Sequence, residues 1–272
     1  MLGHFISLNG QFIPVAEAKI SIENLEFSYG FGVYENIRLR NGKVYFLKEH
    51  LDRLLHSAKV IGLEHHFTIK TMAQWVNGTI KKNKVSSANV KMLLIGGQEP
   101  QLYIMLLAPQ YPDKKIYREG VIVTTYQYER FLPQAKTLNM LPSYLAYSEA
   151  KMAGAYDALF VDYKNNVVEG TRSNFFAIKN KTLYTPPVKK VLDGVTRRTV
   201  IQCAKKNCYK VVEKDVKLKD FLKYEGVFLT NTSGKIIPIR SVRANCRSPV
   251  QFENICEEIK NLIKLYNEWV ER

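Results

Sequence analysis

The segment Tyr34–Ala58, YENIRLRNGKVYFLKEHLDRLLHSA, changes its hydrophobic period halfway along. Apolar and polar residues alternate up to Asn41-Gly42, a pair that readily adopts the positive φ angles of a two-residue hairpin turn. From Leu47 the apolar residues recur at helical spacing instead, at Leu47, Leu51, Leu54, Leu55 and Ala58, and Gly62 then acts as a stop signal. A hairpin that leads directly into a helix predicts a fold in which strands and helices are mixed.

The same mixture extends in both directions from this segment. Upstream, Asn9-Gly10 predicts a second hairpin, between Phe5–Leu8 and Gln11–Ile13. Downstream, we predict strands at Val90–Ile95, Leu102–Leu107, Val121–Tyr126, Ala158–Val161, Asn174–Ile178 and Val227–Leu229. We predict helices at Ile69–Ile80, Pro142–Ala153, Val195–Lys206 and Phe252–Val270. The predicted class is α/β with α+β character.

One polar stretch indicates a domain boundary. Ala108–Tyr117, APQYPDKKIY, contains two prolines and follows an apolar strand, as linkers commonly do. The sequence therefore predicts a smaller N-terminal α/β domain at 1–110, a linker at 111–117 and a larger C-terminal domain at 118–272.

Composition narrows the class of protein. The chain has 272 residues, 46% of them hydrophobic, which is enough for a substantial core. No apolar run approaches the length of a membrane span and the N-terminus lacks a signal-peptide pattern, so we predict a cytoplasmic protein without a membrane partner. The four cysteines, Cys203, Cys208, Cys246 and Cys256, form no CxxC pair, and the five histidines lack ligand spacing, so no metal site is expected.

A formal charge of +15 raises the alternative of a non-catalytic, basic nucleic-acid-binding protein. The 40 Lys and Arg residues are scattered, however, with only short pairs such as Lys81-Lys82 and Lys189-Lys190. Because an anionic substrate explains this composition at least as well, we predict no nucleic-acid partner.

Lys136 lies in the apolar segment Gln134–Asn139, just before a predicted helix. A lysine that forms a Schiff base must be deprotonated, and burial favours the neutral amine. Taken alone, this lysine is more readily explained as an ordinary structural residue, since few lysines are covalently functional.

Glu169 lies beside glycine and small hydroxyls in Val168–Phe176, VEGTRSNFF, at the entry to an apolar strand. A pyridinium nitrogen needs a carboxylate partner of this kind to stay protonated. The alternative is a glutamate at the end of a hairpin.

Two further segments have the chemistry of phosphate sites. In Leu192–Arg198 a glycine opens a helix whose first backbone N–H groups can receive an anion, although a plain helix cap looks similar. Thr230–Gly234 clusters hydroxyls and glycine after a strand, and it forms either a simple turn or a set of donors around phosphate oxygens.

Taken in order, these segments resemble the fold-type IV pyridoxal-phosphate enzymes, which include D-amino-acid transaminase, branched-chain amino-acid transaminase and aminodeoxychorismate lyase. The resemblance covers nearly the whole chain. Its motifs are Leu8–Gly10, Tyr34-Glu35, His50–Leu54, Lys136–Asn139, Glu169–Asn174, Gly194–Arg197 and Thr232–Pro238.

The resemblance implies a two-domain fold, pyridoxal 5'-phosphate as cofactor and a homodimer, since family members build each site at a dimer interface. By resemblance, Lys136 is the Schiff-base lysine and proton shuttle, and Glu169 pairs with the pyridine nitrogen. Arg53 is expected to bind the phosphate in bidentate fashion. Backbone N–H groups of Val195 and Thr196 and the hydroxyl of Thr232 complete the implied phosphate site.

The implied reaction transfers an amino group between a small amino acid or amine and a 2-oxo acid. Release of pyruvate from aminodeoxychorismate is the alternative, with the same lysine and cofactor. Substrate identity stays open because the chain departs from each subfamily. It has Phe31 where an acidic residue is usual, no Arg-x-His pair near Ile95–Glu99, and Met140 where branched-chain enzymes have a tyrosine.

Substrate binding is assigned to one face of the strand Tyr34–Arg40. Side chains two apart share a face, so Tyr34, Asn36, Arg38 and Arg40 point away from Val33, Glu35, Ile37 and Leu39. If the polar face meets the active site, as in the family, Tyr34 and Arg38 are substrate-binding residues and the Arg38 guanidinium holds a carboxylate. The alternative is a solvated face.

Overall fold

The computed structural model describes residues 1–244 and 249–271. Cys246 therefore lies outside the described residues. The chain forms two compact units, one of Met1–Gln110 with Ala135–Met140, the other of Tyr111–Gln134 with Leu141–Arg272. The sequence predicted a single division after residue 110. The structure differs from that prediction at Ala135–Met140, which belongs to the first unit and which the sequence assigned to the C-terminal domain. The linker predicted at 111–117 runs into a short helix. That the two units are separate domains stays a prediction.

The first unit is a six-stranded antiparallel sheet with two long helices, all within residues 1–110, every one of which is described. Its elements in order are β1 (Phe5–Leu8), β2 (Gln11–Pro14), α1 (Leu25–Ser28), β3 (Gly32–Arg40), β4 (Lys43–Val44), α2 (Leu47–Val60), α3 (Ile69–Asn83), β5 (Ala88–Ile95) and β6 (Gln101–Leu107). The strands lie in the order β2-β1-β6-β5-β3-β4.

Both predicted hairpins are confirmed. β1 pairs with β2 and β3 pairs with β4, and the turn residues Asn9, Gly10, Asn41 and Gly42 all have positive φ. The core of this unit packs the apolar face of β3, with Val33, Ile37 and Leu39, against Leu51 and Leu54 of α2. The alternation expected along β3 is thus what directs one of its faces into the core.

The second unit contains the remaining elements. These are α4 (Lys115–Glu119), β7 (Val121–Gln127), α5 (Leu141–Met152), β8 (Asp157–Val161), β9 (Asn166–Gly170), β10 (Asn174–Lys179), β11 (Thr182–Thr185), α6 (Val195–Lys206), β12 (Lys210–Glu213), β13 (Val216–Lys217), β14 (Gly226–Asn231), β15 (Lys235–Arg243), β16 (Val250–Gln251) and α7 (Glu257–Glu271). Among the described helices of either unit, none is long and apolar enough to cross a membrane.

The sheet of the second unit closes on itself. In the part of the chain that is described, its strands follow the order β12-β11-β10-β14-β15-β7-β8-β9-β13, and β9 also pairs with β10. The closing pair is Glu169 of β9 with Asn174 of β10. Since closure fixes both strands from each side, these two residues occupy a rigid position.

The sequence prediction for this unit differs from the structure at the last helix and at one long strand. The last helix starts at Glu257 and not at Phe252, because Val250–Gln251 pairs with β15 and Phe252 donates its N–H to Arg240 O at 2.9 Å. The strand β15 was not predicted, because Pro238 interrupts its apolar run.

We expect the two hairpin glycines to differ in their tolerance of a side chain. Both have positive φ, so alanine costs about 1–2 kcal/mol of backbone strain at either position. A Cβ on Gly10 would in addition clash with Nε1 of the Trp75 indole, whereas a Cβ on Gly42 would meet nothing within 4 Å. Gly10→Ala should therefore lower the free energy of unfolding by about 1–3 kcal/mol more than Gly42→Ala. Urea unfolding followed by circular dichroism measures both, and equal losses would contradict the contact with Trp75.

Candidate active site

A buried carboxylate organises the first unit. Glu35 is fully buried on the core face of β3, and its two oxygens accept hydrogen bonds from Arg53 Nε at 2.7 Å and Arg53 Nη2 at 2.8 Å. His50 Nδ1 lies 2.7 Å from Glu35 Oε2. Burial alone would raise the pKa of Glu35, but Arg53 and His50 together hold it well below its usual range. Burial lowers the pKa of His50, although Glu35 opposes the shift.

The same helix face holds the backbone of Lys136. His50, Arg53 and Ser57 follow one another at spacings of three and four, which places them on one side of α2. Ser57 Oγ accepts the N–H of Lys136 at 3.0 Å, and Tyr34 donates its N–H to the Lys136 carbonyl at 3.0 Å. The lysine backbone is thereby held by both α2 and β3.

The side chain of Lys136 meets Tyr34. Lys136 Nζ donates to Tyr34 Oη at 3.2 Å and lies 4.3 Å from the centroid of the Tyr34 ring. Tyr34 Oη also lies 3.2 Å from Met140 Sδ. The amine is therefore hydrogen-bonded to a phenolic hydroxyl.

The polar face of β3 carries the predicted substrate residues. Arg38 is only 9% exposed, so its own side chain is shielded from solvent, and its Cζ is 5.9 Å from the ring centroid of Tyr45. Lys91 of β5 stands opposite Asn36, with Nζ 6.0 Å from the Tyr34 ring centroid. This face thus adds the cation Lys91, which the sequence did not identify, to Tyr34 and Arg38.

Glu169 is a buried carboxylate of the second unit, as Glu35 is of the first. It is 4% exposed at the end of β9. Its Oε1 lies 3.3 Å from Arg130 Nη1, and its Oε2 accepts the backbone N–H of Leu192 at 3.2 Å. The carboxylate is therefore held through both oxygens.

The loop after Glu169 is fixed by a second buried acid. Asp157 accepts hydrogen bonds from the Thr171 hydroxyl, from Ser173 Oγ at 3.0 Å and from the Ala158 N–H at 2.9 Å. Burial raises the pKa of Asp157, and these hydrogen bonds oppose the shift. A Cβ on Gly170 would clash with Ser173 Oγ, which explains the glycine of this motif.

The N-terminus of α6 has the features of an anion site. Gly194 is its N-cap and supplies no side chain to the first N–H groups, which belong to Val195 and Thr196. A Cβ on Gly194 would clash with Oδ1 of Asn174, whose Nδ2 donates to Leu192 O at 2.8 Å. Opposite Asn174, the Thr230 hydroxyl is buried without a hydrogen-bond partner among the described residues. Thr232 lies in the turn between β14 and β15.

The predicted site residues fall into two groups. The first unit holds Tyr34, Arg38, Arg53 and Lys136, and the second unit holds Glu169, Val195, Thr196 and Thr232. Sequence reasoning gave no role to Glu35, His50, Ser57 or Arg130. Glu35 had a visible signal, because it is the one acid on the apolar face of β3, whereas Arg130 had none.

The comparisons with known proteins point to one family. A family model for class IV amino-transferases matches residues 32–242. A putative branched-chain-amino-acid aminotransferase of Methanocaldococcus jannaschii is 33% identical, covering 95% of each chain. A D-alanine aminotransferase of Staphylococcus epidermidis is 29% identical, covering 87% of this chain and 88% of its own.

The solved structures give the same result. A branched-chain amino acid aminotransferase of T.th., solved with pyridoxamine 5'-phosphate, superposes with a TM-score of 0.88 at 26% identity. The match covers 98% of this chain and 94% of that one. The expected fold-type IV architecture is thus confirmed. The class of function is transaminase chemistry, and the alternative of a nucleic-acid-binding protein without catalysis is not supported. The chain belongs to the class IV aminotransferase family.

Proposed function

We propose that this aminotransferase holds pyridoxal 5'-phosphate on Lys136 and transfers amino groups between small amino acids and 2-oxo acids. The observation that carries the proposal is the clamp on Lys136, whose backbone is bound by Ser57 and Tyr34 and whose Nζ lies 3.2 Å from Tyr34 Oη. The pyridoxamine phosphate in the T.th. relative supports the cofactor.

The residues of the second unit fit a phosphorylated pyridine. Gly194 leaves no room for a Cβ, α6 offers uncapped N–H groups at Val195 and Thr196, and the buried Thr230 hydroxyl nearby has no partner among the described residues. Thr232 would add a hydroxyl to the phosphate, and Glu169 would accept a hydrogen bond from the ring nitrogen. When bound, the cofactor supplies a conjugated ring that withdraws electrons from the substrate carbon.

Arg53 is proposed as a further phosphate ligand in the first unit. The resemblance implied that Arg53 binds the phosphate through a pair of hydrogen bonds. In the structure, Arg53 Nε and Nη2 make such a pair with the carboxylate of Glu35. The ion pair fixes the orientation of the guanidinium before any ligand arrives. A positioned, charged donor loses less conformational entropy on binding phosphate than a mobile one.

Different residues of the chain move the substrate proton and bind the substrate carboxylate. Lys136 Nζ takes and returns the substrate proton, and Tyr34 Oη orients that amine by accepting its hydrogen bond at 3.2 Å. Arg38 and Lys91, on the same sheet face as Tyr34, attract the carboxylate of the substrate. A homodimer and a cytoplasmic location belong to the same proposal.

A substrate panel tests the function itself. Purified protein is mixed with L- and D-amino donors and with pyruvate or 2-oxoglutarate, and an aminodeoxychorismate assay is run beside them. We expect amino transfer from a small amino acid. Release of 4-aminobenzoate without amino transfer would replace the proposal by the lyase activity.

We expect Lys136→Ala to abolish turnover, because the clamped amine is then absent. Borohydride reduction of the native protein followed by peptide mapping should find the pyridoxyl group on Lys136. Lys151→Ala, which removes a lysine of α5, is the control and should keep its activity. A label on Lys151 or any other lysine would contradict the assignment.

Glu169→Gln is expected to lower turnover by orders of magnitude while cofactor still binds, because a neutral amide does not hold the ring nitrogen in its protonated form. Steady-state rates and cofactor content measure the two effects. The exposed Glu149→Gln serves as a matched control. Wild-type rates in Glu169→Gln would remove the role given to this carboxylate.

Arg38→Leu should raise KM for carboxylate-bearing donors by roughly 10- to 100-fold, the loss of a charge-assisted hydrogen-bond pair, with smaller effects on simple amines. Arg40→Leu is the matched control, since Arg40 lies on the same face of β3 but is exposed. Equal changes for both substrate types would show that Arg38 does not bind the carboxylate.

A further inference from the structure

Arg130 is a cation of the second unit that neither the sequence motifs nor the proposed chemistry uses. It follows β7, in the segment that begins where Tyr128 donates its N–H to Val161 O at 3.0 Å. Its side chain is 20% exposed and reaches Glu169, with Nη1 3.3 Å from Oε1. Glu169 in turn accepts the Leu192 N–H through Oε2 at 3.2 Å.

We propose that Arg130 is a positioning residue that acts through Glu169 and sets the orientation of this carboxylate toward the ring nitrogen of the cofactor. The inference rests on the proposed function, since it assigns Arg130 to the same site. This role requires no contact between Arg130 and the cofactor.

The geometry of the two hydrogen bonds explains how the orientation is set. A glutamate side chain has several rotatable bonds, and a single donor would leave its carboxylate free to rotate. Here a guanidinium holds one oxygen and the backbone holds the other, so rotation breaks at least one bond. Each carboxylate oxygen has two lone pairs, so accepting these bonds does not exhaust its capacity for a ring N–H.

The backbone donor links Glu169 to the anion site. Leu192 gives its N–H to Glu169, and its carbonyl accepts from Asn174 Nδ2 at 2.8 Å. Asn174 Oδ1 lies where it would clash with a Cβ on Gly194, at the start of α6. Glu169, which would meet the ring nitrogen, and the N-terminus of α6, which would hold the phosphate, are therefore linked through Leu192 and Asn174 within this unit. Arg130 holds Oε1, the other carboxylate oxygen of Glu169.

Charge gives Arg130 a second effect on the same carboxylate. Glu169 is 4% exposed, and an uncompensated buried carboxylate is costly. With Arg130 removed, the carboxylate lowers this cost by turning toward water, away from the ring nitrogen. Loss of Arg130 should therefore weaken the binding of a cofactor that has the ring nitrogen and leave unchanged the binding of an analogue that lacks it.

A cofactor analogue separates this role from a merely structural one. The full-length apoprotein is titrated with pyridoxal phosphate and with its 1-deaza analogue, in which a C–H replaces the ring nitrogen, and Kd is read from absorbance. Arg130→Met should weaken pyridoxal phosphate binding by about tenfold, as for one charge-assisted hydrogen bond, and change the analogue by less than about twofold. Arg130→Lys should recover part of the loss.

Two controls complete the design. Arg118→Met removes an exposed arginine that pairs with Glu119 in the same unit, and it should change neither Kd. Glu169→Gln should remove the preference for the ring nitrogen by itself, and adding Arg130→Met to it should have no further effect. Equal weakening of both ligands in Arg130→Met, or no weakening of either, would overturn the inference. Failure of the wild-type protein to bind pyridoxal phosphate would instead overturn the proposed function.

Discussion

The arrangement of the first unit depends on the burial of one carboxylate among apolar residues. Glu35 stands between Val33 and Ile37 on the core face of β3, where an ionised group is stable only with compensating charge and hydrogen bonds. Arg53 and His50 provide both, and they come from one face of α2. The ion pair therefore fixes the rotation of α2 about its axis relative to the sheet.

That rotation has a consequence for Lys136. With His50 and Arg53 turned toward Glu35, Ser57 one turn later faces the segment Ala135–Met140 and accepts the Lys136 N–H. Tyr34, the neighbour of Glu35 on β3, binds the Lys136 carbonyl with its backbone and the Lys136 amine with its hydroxyl. Adjacent strand residues thus act on opposite faces, one in the core and one at the candidate site.

The second unit has an equivalent arrangement in its closed sheet. Glu169 and Asn174 form the pair that closes it, and their side chains both bind Leu192, before the turn that opens α6. Asp157 holds the intervening loop through Thr171 and Ser173. Buried polar networks of this kind add little to net stability, because the desolvation of each charge offsets its pairing. They hold a small set of donors and acceptors in one geometry, which is what a catalytic site requires.

The sequence by itself determined much of the local structure and indicated some residues of the candidate site. Hydrophobic period and the Asn-Gly pairs predicted the hairpins, α2 and α6 well, because these features depend on neighbours within a few positions. The motifs around Lys136 and Glu169 indicated the family. The sequence did not predict β15, because Pro238 interrupts its apolar run, and it placed the start of α7 too early, because Val250–Gln251 pairs with β15.

Only the tertiary structure decided which charges meet. Arg53 reaches Glu35 across 18 positions, and Arg130 reaches Glu169 across 39. Each pairing depends on the packing of a helix or loop against a strand and on the rotamers of long side chains. Sequence spacing carries no direct information on either of these, since both are fixed by contacts between segments that are far apart in the chain.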